Sequence, residues 1–181
     1  TIPVTAVEQP VGLMLDKSKG LVLGPELFTT FTSIGEWTDN GDGSWSSSGG
    51  QSGDSNLYAS GTMSPILGST YEVTISISGA SSGLICYFFN TNPSLLGNGT
   101  HVVRGQSNIA VFIVRAGAGV SAEVSNISVK LLPGNHASQP TSTKRPLLKV
   151  DGSGKYYLKG DGIDDFMSTA AIDFTGTDKL A

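Results

Sequence analysis

Residues 71–78, Tyr-Glu-Val-Thr-Ile-Ser-Ile-Ser, alternate apolar and polar side chains without a break. A helix would scatter the apolar members around its circumference. A strand puts Tyr71, Val73, Ile75 and Ile77 on one face and Glu72, Thr74, Ser76 and Ser78 on the other. The segment is therefore a half-buried strand, and a half-buried strand requires a sheet with one covered face. Residues 120–131 alternate as well, but the phase slips. Val120, Ala122 and Val124 share one face, and Ile127, Val129 and Leu131 continue one residue out of step. A bulge near Ser125–Asn126 is predicted to restore the register. Two shorter runs, 84–89 and 108–115, are apolar almost throughout and predict strands covered on both faces. Gly- and Asn-rich turn signals separate these runs, the spacing of an antiparallel sandwich.

Composition agrees with an all-β reading. The 181 residues include 24 Gly and only 14% charged side chains, and few segments carry the 3.6-residue period of a surface helix. The net charge is −4 and unevenly placed: residues 25–132 hold seven of the fifteen acids but three of the eleven bases. No basic face is on offer to a phosphate backbone, which argues against nucleic-acid binding. No apolar run approaches the length of a membrane span. The single Cys86 lies in an apolar run and reads as a buried structural thiol.

The elements Glu26–Phe31, Trp37, Trp45, Tyr71–Ile77 and Ser125–Leu131 together resemble the carbohydrate-binding-module-like, galactose-binding-like jelly rolls. Residues 4–20 and 134–148, followed by 156–169, resemble something else. Joined directly, they give Asp16-Lys17-Ser18, then Gly134-Asn135-His136-Ala137, then Arg145-Pro146 and the turn Gly160-Asp161-Gly162-Ile163-Asp164-Asp165. This order is similar to the front end of the concanavalin-A-like, laminin-G-like sandwiches of bacteriophage virion proteins. Lys159 and Gly160 stand where that family often has an aromatic or apolar residue.

The two resemblances imply a jelly-roll sandwich, residues 25–132, inserted in a loop of a partial concanavalin-A-like sandwich made of residues 1–24 and 133–181. An insertion of this kind costs little, because closure entropy rises slowly with loop length. The lectin-like family continues beyond segments such as Ala170–Phe174, so the flanking part is expected to be truncated, and to be completed by further sequence or by a second subunit.

Flat aromatic faces suit pyranose rings, and Trp37, Trp45 and Tyr58 lie in sequence among Asp42, Gln51 and Asn56, polar groups able to fix hydroxyls. These six are the candidate saccharide-binding residues. Aromatic rings also fill sandwich cores; Trp45, flanked by serines, is the better surface candidate of the two tryptophans. Asp39–Gly43 and Gly160–Asp165 carry calcium-like acids, but neither has the EF-hand spacing, and both compositions also make turns. The jelly-roll resemblance implies a structural calcium near the first and last strands, with Glu26 as candidate ligand; Asn126 stands where relatives often carry Asp. No other cofactor is expected.

Adjacent acids on a strand point to opposite faces, and no nucleophile elbow or zinc-protease motif occurs, so no catalytic activity is expected. The reading is a non-catalytic, phage-particle structural protein with other virion subunits, itself included, as partners. Its jelly roll would touch host-surface glycans. Two alternatives stand beside it: an accessory binding module of a secreted carbohydrate-active enzyme, and an architectural module with no ligand.

Overall fold

The structure, a computed structural model, describes residues 7–18, 20–60, 65–87, 94–107 and 111–169. Residues 88–89 and 108–110 of the expected apolar strands, and the family-like segment 170–174, lie outside the described residues. In chain order the strands are β1 (Leu13–Met14), β2 (Thr30–Ile34), β3 (Trp37–Asp39), β4 (Trp45–Ser48) and β5 (Ser55–Ser60). There follow β6 (Thr70–Ser78), β7 (Leu84–Tyr87), β8 (Ser94–Leu96), β9 (Gly99–Gln106), β10 (Ile113–Ala116) and β11 (Ser121–Leu131). The last four are β12 (Ala137–Ser138), β13 (Leu147–Val150), β14 (Tyr156–Lys159) and β15 (Ser168–Thr169). The protein is all-β apart from one short 3-10 turn, Ser142–Lys144, and every strand pair among the described residues is antiparallel.

Two compact units divide the chain. Residues 22–133 make the central one, and the segments on either side, up to residue 21 and from residue 134, make the flanking one. The sequence motifs place the corresponding boundaries at residues 25 and 132. In the central unit, Gly24 N–H donates to the Leu131 carbonyl at 2.8 Å, so the points where the chain enters and leaves the unit lie side by side.

The central unit is a sandwich of two five-stranded sheets, ordered β2-β5-β10-β7-β8 and β3-β4-β11-β6-β9. The chain passes repeatedly from one sheet to the other, so each sheet draws on strands from the whole length of the unit. Strand β6 fulfils its pattern: Tyr71, Val73, Ile75 and Ile77 are 0–3% exposed, and their polar neighbours face outward. Each such aliphatic residue contributes about 1.5–3 kcal/mol relative to exposure. In β11, Ala122, Val124 and Val129 enter the same core, joined there by Leu57, Leu84, Phe112 and Val114 from the other sheet. The pairing of β11 with β6 shifts between Ser125 and Ser128, where Asn126 takes φ +50°. One extra residue at this point brings Val129 back to the covered face, as the phase slip predicts.

The flanking unit contains a three-stranded sheet, β1-β12-β15, and the hairpin β13-β14. Its two chain segments meet directly. Asp16 N–H donates to His136 Nδ1 at 2.9 Å, and the Asp16 carboxylate accepts the Asn135 N–H at 2.9 Å and the Ser18 N–H at 2.8 Å. Gly134 takes φ +142°, which strains any side chain, and a β-carbon there would crowd the His136 ring at 3.0 Å.

These N–H donors, Asn135 first and then Ser18, hold the Asp16 carboxyl at about 2, below its ordinary 3.8. Because the folded state lowers this value, the contribution is present above pH 3.8 and disappears as pH falls towards 2. Protection of the Asn135 and Ser18 amides against hydrogen exchange is therefore expected to drop across that interval. Asp16→Asn should abolish the acid step; an identical step in the variant would assign it to another group.

Candidate functional site

The outward faces of the two sheets differ in chemistry. On the sheet containing β6, the outward positions pair hydroxyl with hydroxyl across the strands: Thr38 beside Ser46, Ser76 beside Ser125 and Thr100. One end of this face is charged, with Glu72 between Arg104 and Lys130 and a 2.6 Å ion pair from Glu72 to Arg104. Between the two lies Val102, beside Thr74 and 52% exposed, a lone aliphatic side chain on an otherwise polar sheet surface.

The other sheet turns out two cross-strand rows of different character. One runs Thr32–Tyr58–Ile113–Tyr87, the other Ile34–Asn56–Arg115–Ile85–Leu95. Strand alternation enforces the arrangement. Leu57, Ala59, Val114, Ala116 and Leu84 occupy the core, so the residues between them must point outward. Tyr58 and Tyr87 stand two strands apart, about 10 Å, with Ile113 between them. Ile34 and Leu95 are 61% and 69% exposed at the two ends of the other row. In β7 and β10 the outward residues Ile85, Tyr87 and Ile113 are half-buried while the inward Leu84, Val114 and Ala116 are buried, so the outer face is only partly covered, which corrects the expectation of two covered faces.

Arg115 is the polar centre of that surface. Its Nε donates to Asn56 Oδ1 at 3.0 Å, its Nη1 lies 3.0 Å from the Asp54 carboxylate, and its guanidinium carbon sits 4.7 Å from the centre of the Tyr87 ring. Cation–π contact fixes the ring, and the two side-chain partners fix the guanidinium. A guanidinium carries five N–H donors, more than these two contacts use, and the Arg115 side chain is 30% exposed. Two aromatic rings, an apolar floor and a held array of donors and acceptors form a platform able to stack on one face of a ring-shaped polyol and bond its hydroxyls.

Only two of the six sequence candidates, Tyr58 and Asn56, belong to this platform. Trp37 is 4% exposed and its indole N–H donates to the Ser55 carbonyl at 3.1 Å, so it is a core residue. Trp45 pairs with Val124, whose side chain is fully buried; the same strand phase turns Trp45 inward against the core, in spite of its serine neighbours. Both tryptophans thus lie on the inner side of the opposite sheet from Tyr58, and the three rings do not form one groove. Gln51 is 8% exposed, and its amide N–H groups donate to the Gly117 and Val120 carbonyls, pinning the turn before β11. Asp42 is spent on its own hairpin turn, accepting the Ser44 N–H and hydroxyl; these bonds, the hydroxyl's first, lower its carboxyl pKa. The sequence does not single out Tyr87 and Arg115, because an apolar run conceals which of its members face outward, nor Asp54, which stands among polar turn residues.

Glu26, the candidate calcium ligand, makes two hydrogen bonds to β11. Its carboxylate accepts the Ser128 hydroxyl at 2.6 Å and the Val129 N–H at 2.5 Å, a clasp that seats the chain beside the β11 bulge. Asn126 is exposed and bonds Ser76. Among the described residues, the one group of three acids within ligand distance of one another is Asp161, Asp164 and Asp165 in the flanking unit. There the Asp161 carboxylate accepts the Ile163 and Asp164 N–H groups, as in a turn, and Asp164 pairs with Lys144. Cys86 points into the core from β7, and burial pushes its thiol up to about 12, which removes it from nucleophilic chemistry. Among the described residues no helix is long and apolar enough to cross a membrane. No family model matches the chain, and no curated protein matches it by sequence.

Proposed function

We propose that this chain is a non-catalytic structural protein of a phage particle, and that its central unit contacts host-surface glycans through the Tyr58–Ile113–Tyr87 face. The observation that carries the glycan reading is the contrast between the two outward faces. One is a hydroxyl-and-charge surface with a single exposed aliphatic residue, Val102; the other holds two tyrosines, four aliphatic residues and a fixed guanidinium. Exposed apolar side chains cost solubility and are retained on monomeric surfaces chiefly where something binds. The particle reading is supported by the resemblance of residues 4–20 and 134–169 to virion sandwiches. The flanking unit, with Tyr156, Ile163 and Phe166 at 70%, 88% and 52% exposure, offers apolar contacts to neighbouring subunits, a second copy among them.

A glycan array probed with the whole chain tests the binding reading. Tyr58→Ala and Tyr87→Ala are each expected to weaken the best interaction about tenfold, the loss of roughly 1.4 kcal/mol of ring stacking. Unchanged binding in both variants would move the site elsewhere. Antibodies to residues 22–133 that label intact particles in electron micrographs would support the virion assignment, and unlabelled particles would count against it.

A further inference from the structure

We infer that Asp54 makes the platform selective for uncharged saccharides, by neutralising the one cation that the platform presents; this rests on the glycan reading above. Among the described strand residues of the two outward rows, Arg115 is the only charged side chain. Two tyrosines and a half-buried guanidinium would otherwise make a good receptor for a carboxylated sugar, because a carboxylate forms paired, charge-assisted bonds with guanidinium. Asp54 occupies that role from within the protein. It lies 3.0 Å from Nη1, while Asn56, an uncharged amide, takes Nε. An incoming uronate must either displace Asp54 or sit beside it, and both routes place two anions at one cation. A neutral sugar meets no such opposition. Its hydroxyl oxygens accept the remaining guanidinium N–H groups, and its apolar face covers Tyr58 or Ile113.

The position of Asp54 fits the role of a selector. Its side chain is 53% exposed, just before β5, and it contributes little to the core, whereas the Arg115 side chain is 30% exposed and clamped on three sides. Removing the Asp54 charge therefore leaves the platform's shape and changes its electrostatics. The freed guanidinium would gain affinity for anions and a dependence on salt that the native pair lacks.

Matched pairs of neutral and carboxylated oligosaccharides, glucose against glucuronate and galactose against galacturonate, provide the test, first as an array and then by calorimetric titration. The native chain is expected to favour the neutral member by about tenfold or more, with affinity nearly constant across a tenfold range of sodium chloride. Asp54→Asn should bring the two members to parity or reverse them, and its uronate affinity should fall as salt rises. Adding Arg115→Gln to that variant should remove the gained uronate binding, while unchanged melting temperatures would show that the fold persists. A native chain that prefers uronates, or an Asp54→Asn variant with an unaltered ratio, overturns the inference and leaves the glycan reading standing. So does uronate binding that survives in the double variant. A native chain that binds neither member overturns the glycan reading itself, and the inference with it.

Discussion

Trp37→Ala is expected to lower the stability of the central unit by about 3–5 kcal/mol, the range for deleting a large buried aromatic side chain. The ring is 4% exposed at the start of β3 and packs within a core that draws on both sheets. Alanine would leave a cavity, and it would also remove the indole N–H bond to the Ser55 carbonyl, 3.1 Å long. The sandwich closes over this position from two sides, so local collapse recovers little of the lost packing. Urea unfolding followed by Trp45 fluorescence provides the measurement, because with Trp37 removed Trp45 is the only tryptophan left and it reports on this unit. Trp45→Ala should cost distinctly less, since that ring is only half-buried. Equal losses in the two variants, or a loss below about 1 kcal/mol for Trp37, would contradict the placement of the rings.

The second large effect is expected two residues earlier. Gly35 joins β2 to β3 at φ +99°, a conformation that side-chain-bearing residues rarely adopt. A β-carbon added there would lie 2.5 Å from Ser55 Oγ and 3.2 Å from Ser55 Cα. Ser55 cannot retreat easily. It is 1% exposed, its hydroxyl accepts the Glu36 N–H at 3.1 Å, and its carbonyl holds the Trp37 indole. Gly35→Ala therefore combines backbone strain with overpacking and should cost about 2–4 kcal/mol. Ser55→Gly in the same chain should recover part of the loss by removing the struck atoms. Failure of that rescue would assign the whole effect to the backbone.

The sheet-forming pattern was legible wherever one side of a strand faces water. Strand β6 announces its own orientation because Glu72, Thr74 and Ser76 mark the wet side, and the slip at Ser125–Ser128 shows as a change of phase. The candidate site was harder to read for the same reason in reverse. In β10, Ile113 and Val114 look alike, yet one faces out and the other is fully buried; only pairing with Tyr58 and Tyr87 on one side and Leu57 and Cys86 on the other distinguishes them. Trp45 misleads by its neighbours: Ser44, Ser46 and Ser48 suggest a surface, but orientation follows from the partner strand, where Val124 is opposite. Asp42 and Gln51 show a related limit. Polar residues near aromatic ones in sequence spend their hydrogen bonds on the backbone of turns, and a sequence does not display which donors a loop leaves unsatisfied.

The 2.8 Å bond from Gly24 to Leu131 sets the terms on which the central sandwich can be exchanged. A segment that leaves and returns at neighbouring points imposes on its surroundings no more geometry than a tight turn does. Doubling its length adds only about 0.6 kcal/mol of closure entropy. Any sandwich with adjacent ends would satisfy the same two attachment points. Exchange of the whole central unit at those points leaves the Asp16–Asn135 and Asp16–His136 bonds untouched. The flanking segments are constrained by their own pairing, whatever the sequence that lies between them.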